Sequence, residues 1–484
     1  MFRRDHFLGC FANGTRVEST TLKSGSTVLP GKKRYAIIGA GFAGLATCWN
    51  LIKHRSTSMP PHEMFEVHVY DAFGVGWSAS SAASGLLHPL NTRGNIAWKG
   101  LDALNETLAL LKEVEEYSSS SFSSPSASFR SDLYKQTGIL RFAKDDKQLN
   151  RYRRIRDQWL KELQMQVYDF DDKKDQSNEK KEESKADDNS ISGYMFTPQG
   201  FLVNSPTYLS RLKEACCVLA QEVSLKLEER YNCQSNNTKV EVIEQTVESL
   251  EDMKEGGYSE IIICAGAAYS TIKEVKERFP LKLSETYAIE MSNTSVSRNE
   301  ETRTLEEIVG DKSLLGRLYL ARPDKDTLVL GAVHSETSPT PEAALKCAHY
   351  RISGEEVGHH EHKDRMLSMA KVALEKGEAE YPRVIGKGDY RVSSVHSGVR
   401  ALPPKTPNSG RLPLLGKVDL QQRKEDDMES NSSSSCWMFL GLGARGLLYH
   451  AYLAKALTKA IAANDENLLP PEVLRWKQST SQED

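Results

Sequence analysis

The sequence predicts an α/β protein of two interleaved domains, and three observations carry that prediction. A glycine pattern, Gly39, Gly41 and Gly44, stands between a short apolar run (Ala36-Ile37-Ile38) and an apolar helical stretch. A second apolar run, residues 260–264, is followed by Ala265-Gly266-Ala267. An unbroken apolar strand of this kind suits a sheet covered on both faces. Segments 281–291, 316–321 and 328–333 instead alternate, or run apolar with charged breaks, which predicts an antiparallel sheet. The expected architecture is a doubly wound, Rossmann-like domain with a second α+β domain inserted in it.

The elements justify this in order. Residues 1–33 fit no domain pattern and carry Arg3, Arg4, Arg16, Lys23, Lys32 and Lys33 against Asp5 and Glu18, with frequent Ser and Thr. That composition matches an organellar transit peptide, chloroplast slightly ahead of mitochondrion, and also suits an unstructured cytoplasmic tail. From Arg34 the chain reads as strand, glycine turn and helix. Gly39 makes the turn, Gly41 lets the backbone approach a pyrophosphate, and Gly44 lets the helix lie close to the strand. Phe42 and Ala43 open that helix, whose N-terminus aims free N–H groups at phosphates. The next strand ends in Asp71, placed to accept hydrogen bonds from ribose hydroxyls. Dinucleotide binding follows, with NAD and FAD both open at this point.

Further along, residues 101–116 and 149–167 read as helices, 138–142 as a short strand, and 240–250 as strand-like. A helix starting at Ser205 has a Ser/Thr-rich opening that suits a cap. The arginines Arg151, Arg153, Arg154 and Arg156 suit a solvated helix face; contact with RNA phosphates is the disfavoured reading, because acidic residues follow soon after. Segments 117–131, 171–190 and 420–435 are serine-rich or highly charged and read as surface insertions, the last between two C-terminal strands.

Composition narrows the function. Across 484 residues the net charge is −3, which gives no overall attraction to DNA or anionic membranes. Mean hydropathy is −0.50, and no apolar run approaches the ~20 residues of a membrane span. Eight cysteines show no C-x-x-C or zinc-finger spacing and read as reduced, mostly structural thiols. His359, His360 and His362 lie in a polar stretch with no helix-spaced partner or cysteine. They read as a solvated loop, and no metal is expected.

A second glycine cluster, Gly441, Gly443 and Gly446, follows an apolar strand and opens an amphipathic helix. A reduced flavin carries negative charge around its N1 and C2 carbonyl. A helix dipole aimed there is worth ~0.3–1 kcal/mol at exposed sites and up to ~2 in partly buried geometry. An NAD site is normally finished within one contiguous unit. Here the N-terminal fingerprint, the strand before Gly266 and a distant glycine cluster all want the same sheet, which favours FAD.

On these motifs the chain resembles the D-amino-acid oxidase / glycine oxidase / sarcosine oxidase superfamily of FAD-dependent oxidoreductases. The carriers are GAGFAG with Asp71, WSASSAASGLLHPL, TGILRF, IIICAGA, LYLARPDKDTLVLGA, HSGVRALPPKTPNSGRLPLLG and GLGARGL. Two of these blocks look especially like the flavin domain of bacterial bifunctional tRNA wobble-uridine modification enzymes, and like plant and cyanobacterial homologues. The resemblance implies that Ser80, Ser81, Ala82, Ala83, Gly85 and Leu86 line the flavin's ribityl and ring, and that Gly443, Arg445, Gly446 and Leu447 form the turn at the isoalloxazine. It implies that Arg400 pairs with a substrate carboxylate; a planar guanidinium suits that task. His88 lies in the flavin-lining block as a further candidate for contact with ring or substrate. The chain departs from the family at Thr286-Tyr287, and no motif places the family's active-site tyrosine.

The expected FAD-binding domain is discontinuous, over 34–135, 196–275 and 395–477. The substrate domain comprises 136–195, with an insertion at about 171–190, and 276–394. The expected reaction is oxidation of a C–N bond in a small amine or amino acid by hydride transfer to flavin, with oxygen or another acceptor closing the cycle. Two alternatives use the same fold: oxidation of a modified tRNA uridine's amine arm, and a flavin-stabilised assembly factor without catalysis.

Overall fold

A computed structural model describes residues 32–58, 64–77, 79–80, 82–120, 133–169, 191–231, 238–293, 309–324, 326–335, 338–340, 350–353, 360–382, 384–385, 390–406, 409–420 and 434–480. The leader and the insertion at 171–190 lie outside these residues, as does most of the insertion at 420–435.

Two sheets organise the chain. The first has six strands in the order Leu414–Lys417, Ser435–Leu440, Glu260–Ile263, Lys32–Ile38, Met64–Asp71 and Thr238–Glu244. Every neighbouring pair is parallel except the hairpin Leu414–Lys417/Ser435–Leu440. Ile37 pairs with Ile262 on one side and Val69 on the other, so it is covered on all sides. Burying each such side chain contributes ~1.5–3 kcal/mol, and this is what the unbroken apolar runs are for. Helices Phe42–Ser58, Gly100–Ser120, Ser205–Tyr231 and Gly446–Ala463 cover one face, meeting the sheet in a core around Trp49, Leu111, Tyr208 and Leu457. The other face closes over Ile261, Ile263 and Met438 with Met253, Ile272 and Trp476. This is a Rossmann-like domain with layers on both faces of a mostly parallel sheet.

The second sheet has nine strands, in the order Tyr350–Ser353, Tyr390–Leu402, Lys282–Asn293, Thr327–His334, Tyr319–Ala321, Ser313–Leu315, Ile139–Ala143, Gly193–Thr197 and Gln166–Asp169. It is antiparallel but for the pair Ser313–Leu315/Ile139–Ala143. Helix His360–Glu380 packs Met366, Ala370 and Ala373 against Tyr287, Ile289 and Val395 on its back. The opposite face looks towards the first domain.

Several elements differ from expectation. The helix expected over 149–167 runs Asp146–Leu163 and stops at Gln164, a left-handed cap with φ 47°; Val167 belongs to the strand Gln166–Asp169. Residues 240–250 divide into the strand Thr238–Glu244 and the start of a helix at Leu250, capped by Ser249. The expected start at Ser205 is capped from one residue earlier, where Asn204 Oδ1 accepts the Thr207 N–H at 3.3 Å. His360 and His362 open the helix His360–Glu380 instead of lying in a loop, and His359 falls outside the described residues. The boundary placed at 395 cuts through the strand Tyr390–Leu402, which lies whole in the nine-stranded sheet because it pairs along its length with Lys282–Asn293.

Candidate active site

One cavity of ≈ 470 Å³ runs between the two domains, from Asp71 at one end to Arg400 at the other. Its first end is made by backbone. Gly39 sits at φ 113° and donates its N–H to the Tyr70 carbonyl at 2.6 Å. A Cβ on Gly39 would lie 2.4 Å from the Cys264 carbonyl oxygen, and one on Gly44 would lie 1.8 Å from the Gly39 oxygen. Gly44 is therefore beneath the turn, closing helix onto strand, while Gly39, Gly41, Phe42 and Ala43 line the cavity. Asp71 accepts the Ala40 N–H at 2.8 Å and the Phe73 N–H at 3.1 Å. Burial raises its carboxyl above the usual range against the pull of those two amides. Its oxygens keep acceptor capacity for hydroxyl donors.

The middle of the cavity is where the distant glycine turns meet. Phe42 lies against the second turn, whose Gly446 leaves 3.3 Å between a would-be Cβ and the Phe42 ring. Ser80 Oγ accepts the Phe42 N–H at 3.3 Å, tying Ser80 to the first helix. Ser80, Ala82, Ala83, Gly85 and Leu86 line one wall, with Gly266, Gly443, Arg445, Gly446 and Leu447 also lining it. Ser81 lies outside the described residues. Behind the turn, His450 Nδ1–H donates to the Leu447 carbonyl at 3.0 Å, and its Nε2 accepts the Tyr208 hydroxyl at 2.7 Å. Burial lowers the His450 pKa to about 4, which keeps the ring neutral and this arrangement fixed.

The far end is made by side chains from the nine-stranded sheet. Arg400 stands opposite Ser284 in the strand register. Its Nε and Nη2 are buried without a hydrogen-bond partner, and burial lowers its pKa. Beside it, Tyr319 takes a hydrogen bond from Ser84; burial raises the phenol pKa, so the hydroxyl stays protonated. His334 joins the wall, its pKa lowered by burial and by the Arg400 charge. His88 Nδ1 accepts the Leu90 N–H at 3.2 Å. Burial, then Arg445 and Arg141, lower the His88 pKa to about 3. The neutral ring therefore carries its proton on Nε2, as a donor. Among the described lining residues the only carboxylate is Asp71, at the other end.

Of the residues expected at the site, all the described ones except Gly44 line this single cavity. The sequence reading missed Tyr319. Its signal was the alternation Leu318-Tyr319-Leu320, which buries both leucines under the helix and turns the phenol the other way. Tyr287, the point of departure from the family, has its side chain in the core behind the sheet. Thr286 is the neighbour that faces the cavity, its hydroxyl donating to the Gly398 carbonyl at 3.2 Å. In the arginine cluster, Arg153 pairs with Asp169 at 2.6 Å and Arg156 with Asp157 at 2.7 Å, while Arg154 is exposed. Among the described residues no group of His, Cys, Asp or Glu is arranged to hold a metal ion, and no helix is long and apolar enough to cross a membrane.

A Rossmann-like domain joined to an antiparallel sheet, with one cavity between them, defines a two-domain flavoprotein-type oxidoreductase fold. The family model for FAD dependent oxidoreductases (DAO) matches residues 34–460, and the chain belongs to that family. Solved structures share the fold at low identity. Glycine oxidase from Geobacillus kaustophilus is 15% identical, with 90% of this chain and 96% of that chain covered and a TM-score of 0.58. Iminodiacetate oxidase from Chelativorans sp. BNC1 is 17% identical, covering 92% and 98%, with a TM-score of 0.55. L-proline dehydrogenase from P. horikoshii is 12% identical, covering 94% and 99%, with a TM-score of 0.54. No curated protein sequence matches the chain.

Proposed function

We propose that this chain binds FAD in the cavity and oxidises the C–N bond of a small amine that carries a carboxylate. The observation that carries the reading is Arg400: two buried guanidinium nitrogens without a partner, in the wall of a cavity whose other end is a glycine turn beside Asp71. Unpaired buried donors are costly unless a ligand meets them. The residues present suit FAD. Asp71 would hold the ribose, the first helix N-terminus the pyrophosphate, and the turn Gly443–Arg445 with Gly446 and Leu447 would hold the ring. When bound, FAD supplies the acceptor for the two electrons of the C–H bond beside nitrogen.

The chain's own residues bind and orient. Arg400 clamps the carboxylate, Tyr319 donates a hydroxyl beside it, and the wall fixes which hydrogen points at the ring. Oxidation also requires the amine without its extra proton. The cations Arg141, Arg317, Arg400 and Arg445 all line the cavity, and nearby positive charge lowers the pKa of a bound ammonium. The proton leaves to solvent water, so no side-chain base is required. Water then hydrolyses the imine product, and oxygen or another acceptor reoxidises the protein.

Turnover of glycine, N-methylglycine, proline and iminodiacetate tests the reading; glycine, proline and iminodiacetate are chosen with the structural neighbours in mind. Arg400→Ala should retain flavin and lose about 10²-fold in kcat/KM on any active substrate, the worth of a charged hydrogen-bond pair. Unchanged turnover would remove Arg400 from the site. Activity on tRNA alone would point to the uridine arm as substrate instead, and flavin binding without turnover of either kind to a non-catalytic role.

A further inference from the structure

Arg141 is a buried cation in the cavity wall that the proposed function does not use to bind substrate. It lies in the strand Ile139–Ala143 and is 5% exposed. Its Nη1 and Nη2 donate to the backbone carbonyls of Asn91 and Thr92 at 3.2 and 2.7 Å, while its Nε is buried with no partner. No ion pair reaches it among the described residues. A guanidinium buried without counter-charge is strongly unfavourable unless an anion arrives, and the cavity offers none from the protein at this end.

Strand register says where that anion would sit. Leu140 pairs with Leu314, so Leu315 stands beside Arg141, and Leu315 pairs in turn with Tyr319. Arg141, Leu315 and Tyr319 thus form a row across the sheet, and all three line the cavity. Two strand spacings, ~10 Å, separate the ends of the row. The row therefore runs from the Arg141 guanidinium past the apolar Leu315 to Tyr319, which feels the Arg400 charge, and the exposed Arg317 also lines the cavity.

We propose that Arg141, assisted by Arg317, is a second anion subsite, and that the substrate is an amino or imino dicarboxylate: one carboxylate on Arg400, the other on Arg141. This rests on the reading of Arg400 as the first clamp. Two of the five N–H groups of Arg141 are bound to carbonyls, which fixes the side chain and leaves the remaining donors for a carboxylate.

The test uses the flavin-loaded protein and acids that cannot be oxidised. Acetate, butyrate, malonate, succinate and glutarate are titrated by their perturbation of the flavin spectrum. At least one dicarboxylate should bind tenfold or more tighter than acetate and butyrate. Arg141→Gln should reduce that advantage to about twofold with flavin content kept, and Arg141→Lys should restore part of it. Arg317→Ala, at an exposed position, should lower it about threefold and serves if the Arg141 variants lose flavin. Equal binding of mono- and dicarboxylates by the wild type overturns the proposal and leaves the Arg400 reading standing, as does an advantage that survives Arg141→Gln. A shifted flavin potential in Arg141→Gln with the advantage unchanged assigns Arg141 to the flavin and also overturns it. If no acid of either kind perturbs the flavin, the Arg400 reading falls and takes this proposal with it.

Discussion

The two ends of the cavity are made from different materials. The Asp71 end is backbone: a glycine at φ 113°, helix amides, and a carboxylate held by two N–H groups. The Arg400 end is side chain: Arg400, Tyr319, His334 and Arg141 projecting from one face of a sheet. Backbone sites tolerate almost no added atoms but need few particular side chains. Side-chain sites keep their scaffold when one group changes, and lose function in proportion to that group.

The contrast sets the order of expected effects. Gly44→Ala would place a Cβ 1.8 Å from the Gly39 oxygen. It should cost on the order of 4 kcal/mol or more and yield protein without flavin, read by absorbance and thermal melting. A soluble, flavin-bound Gly44→Ala protein would break the comparison at its strongest point.

Acid should act next, through the histidine behind the second glycine turn. His450 titrates near 6.5 when unfolded and at about 4 when folded. Between those values the unfolded chain binds a proton that the folded chain refuses. The stability is therefore fully present above pH 6.5 and is lost as pH falls towards 4, by up to roughly 3 kcal/mol. His88, held at about 3, adds to the same window from its upper end. His450→Gln should flatten melting temperature against pH across that range, and an unaltered slope would remove His450 as its cause.

The substrate end should respond by activity instead. A Cβ on Gly331 would meet the Tyr319 hydroxyl at 2.3 Å. Gly331→Ala should displace that wall and cost roughly 10²-fold in kcat/KM with flavin retained, since misplacement of about 1 Å can cost that much. Tyr319→Phe removes one hydroxyl and should cost less, about threefold to tenfold, mainly in KM. Steady-state kinetics beside a flavin assay separates both from the Gly44 outcome.

The same contrast explains what could be read from the amino-acid sequence. The glycine turns are local: each needs only a strand before and a helix after, so Gly39, Gly44 and Gly446 carry their role in neighbouring residues. Arg400 was legible through family resemblance, in the block HSGVR. Tyr319 was not, because its place depends on which strands pair. Only the register Tyr319 to Gly331 and Leu315 turns that phenol towards Ser84 and Arg400. Arg141 is illegible for the same reason, since its neighbour Leu315 is far away in the chain. Helix ends were misjudged where a single cap decided them, as at Gln164 and Ser249.

The central claim is that one cavity holds FAD at its backbone end and a carboxylated amine at its side-chain end. An anaerobic absorbance titration addresses it most directly. The purified protein should show an oxidised flavin band that a carboxylated amine bleaches, while the same amine without its carboxylate leaves the band intact. A colourless protein that FAD cannot reconstitute, or equal bleaching by both amines, would contradict the account.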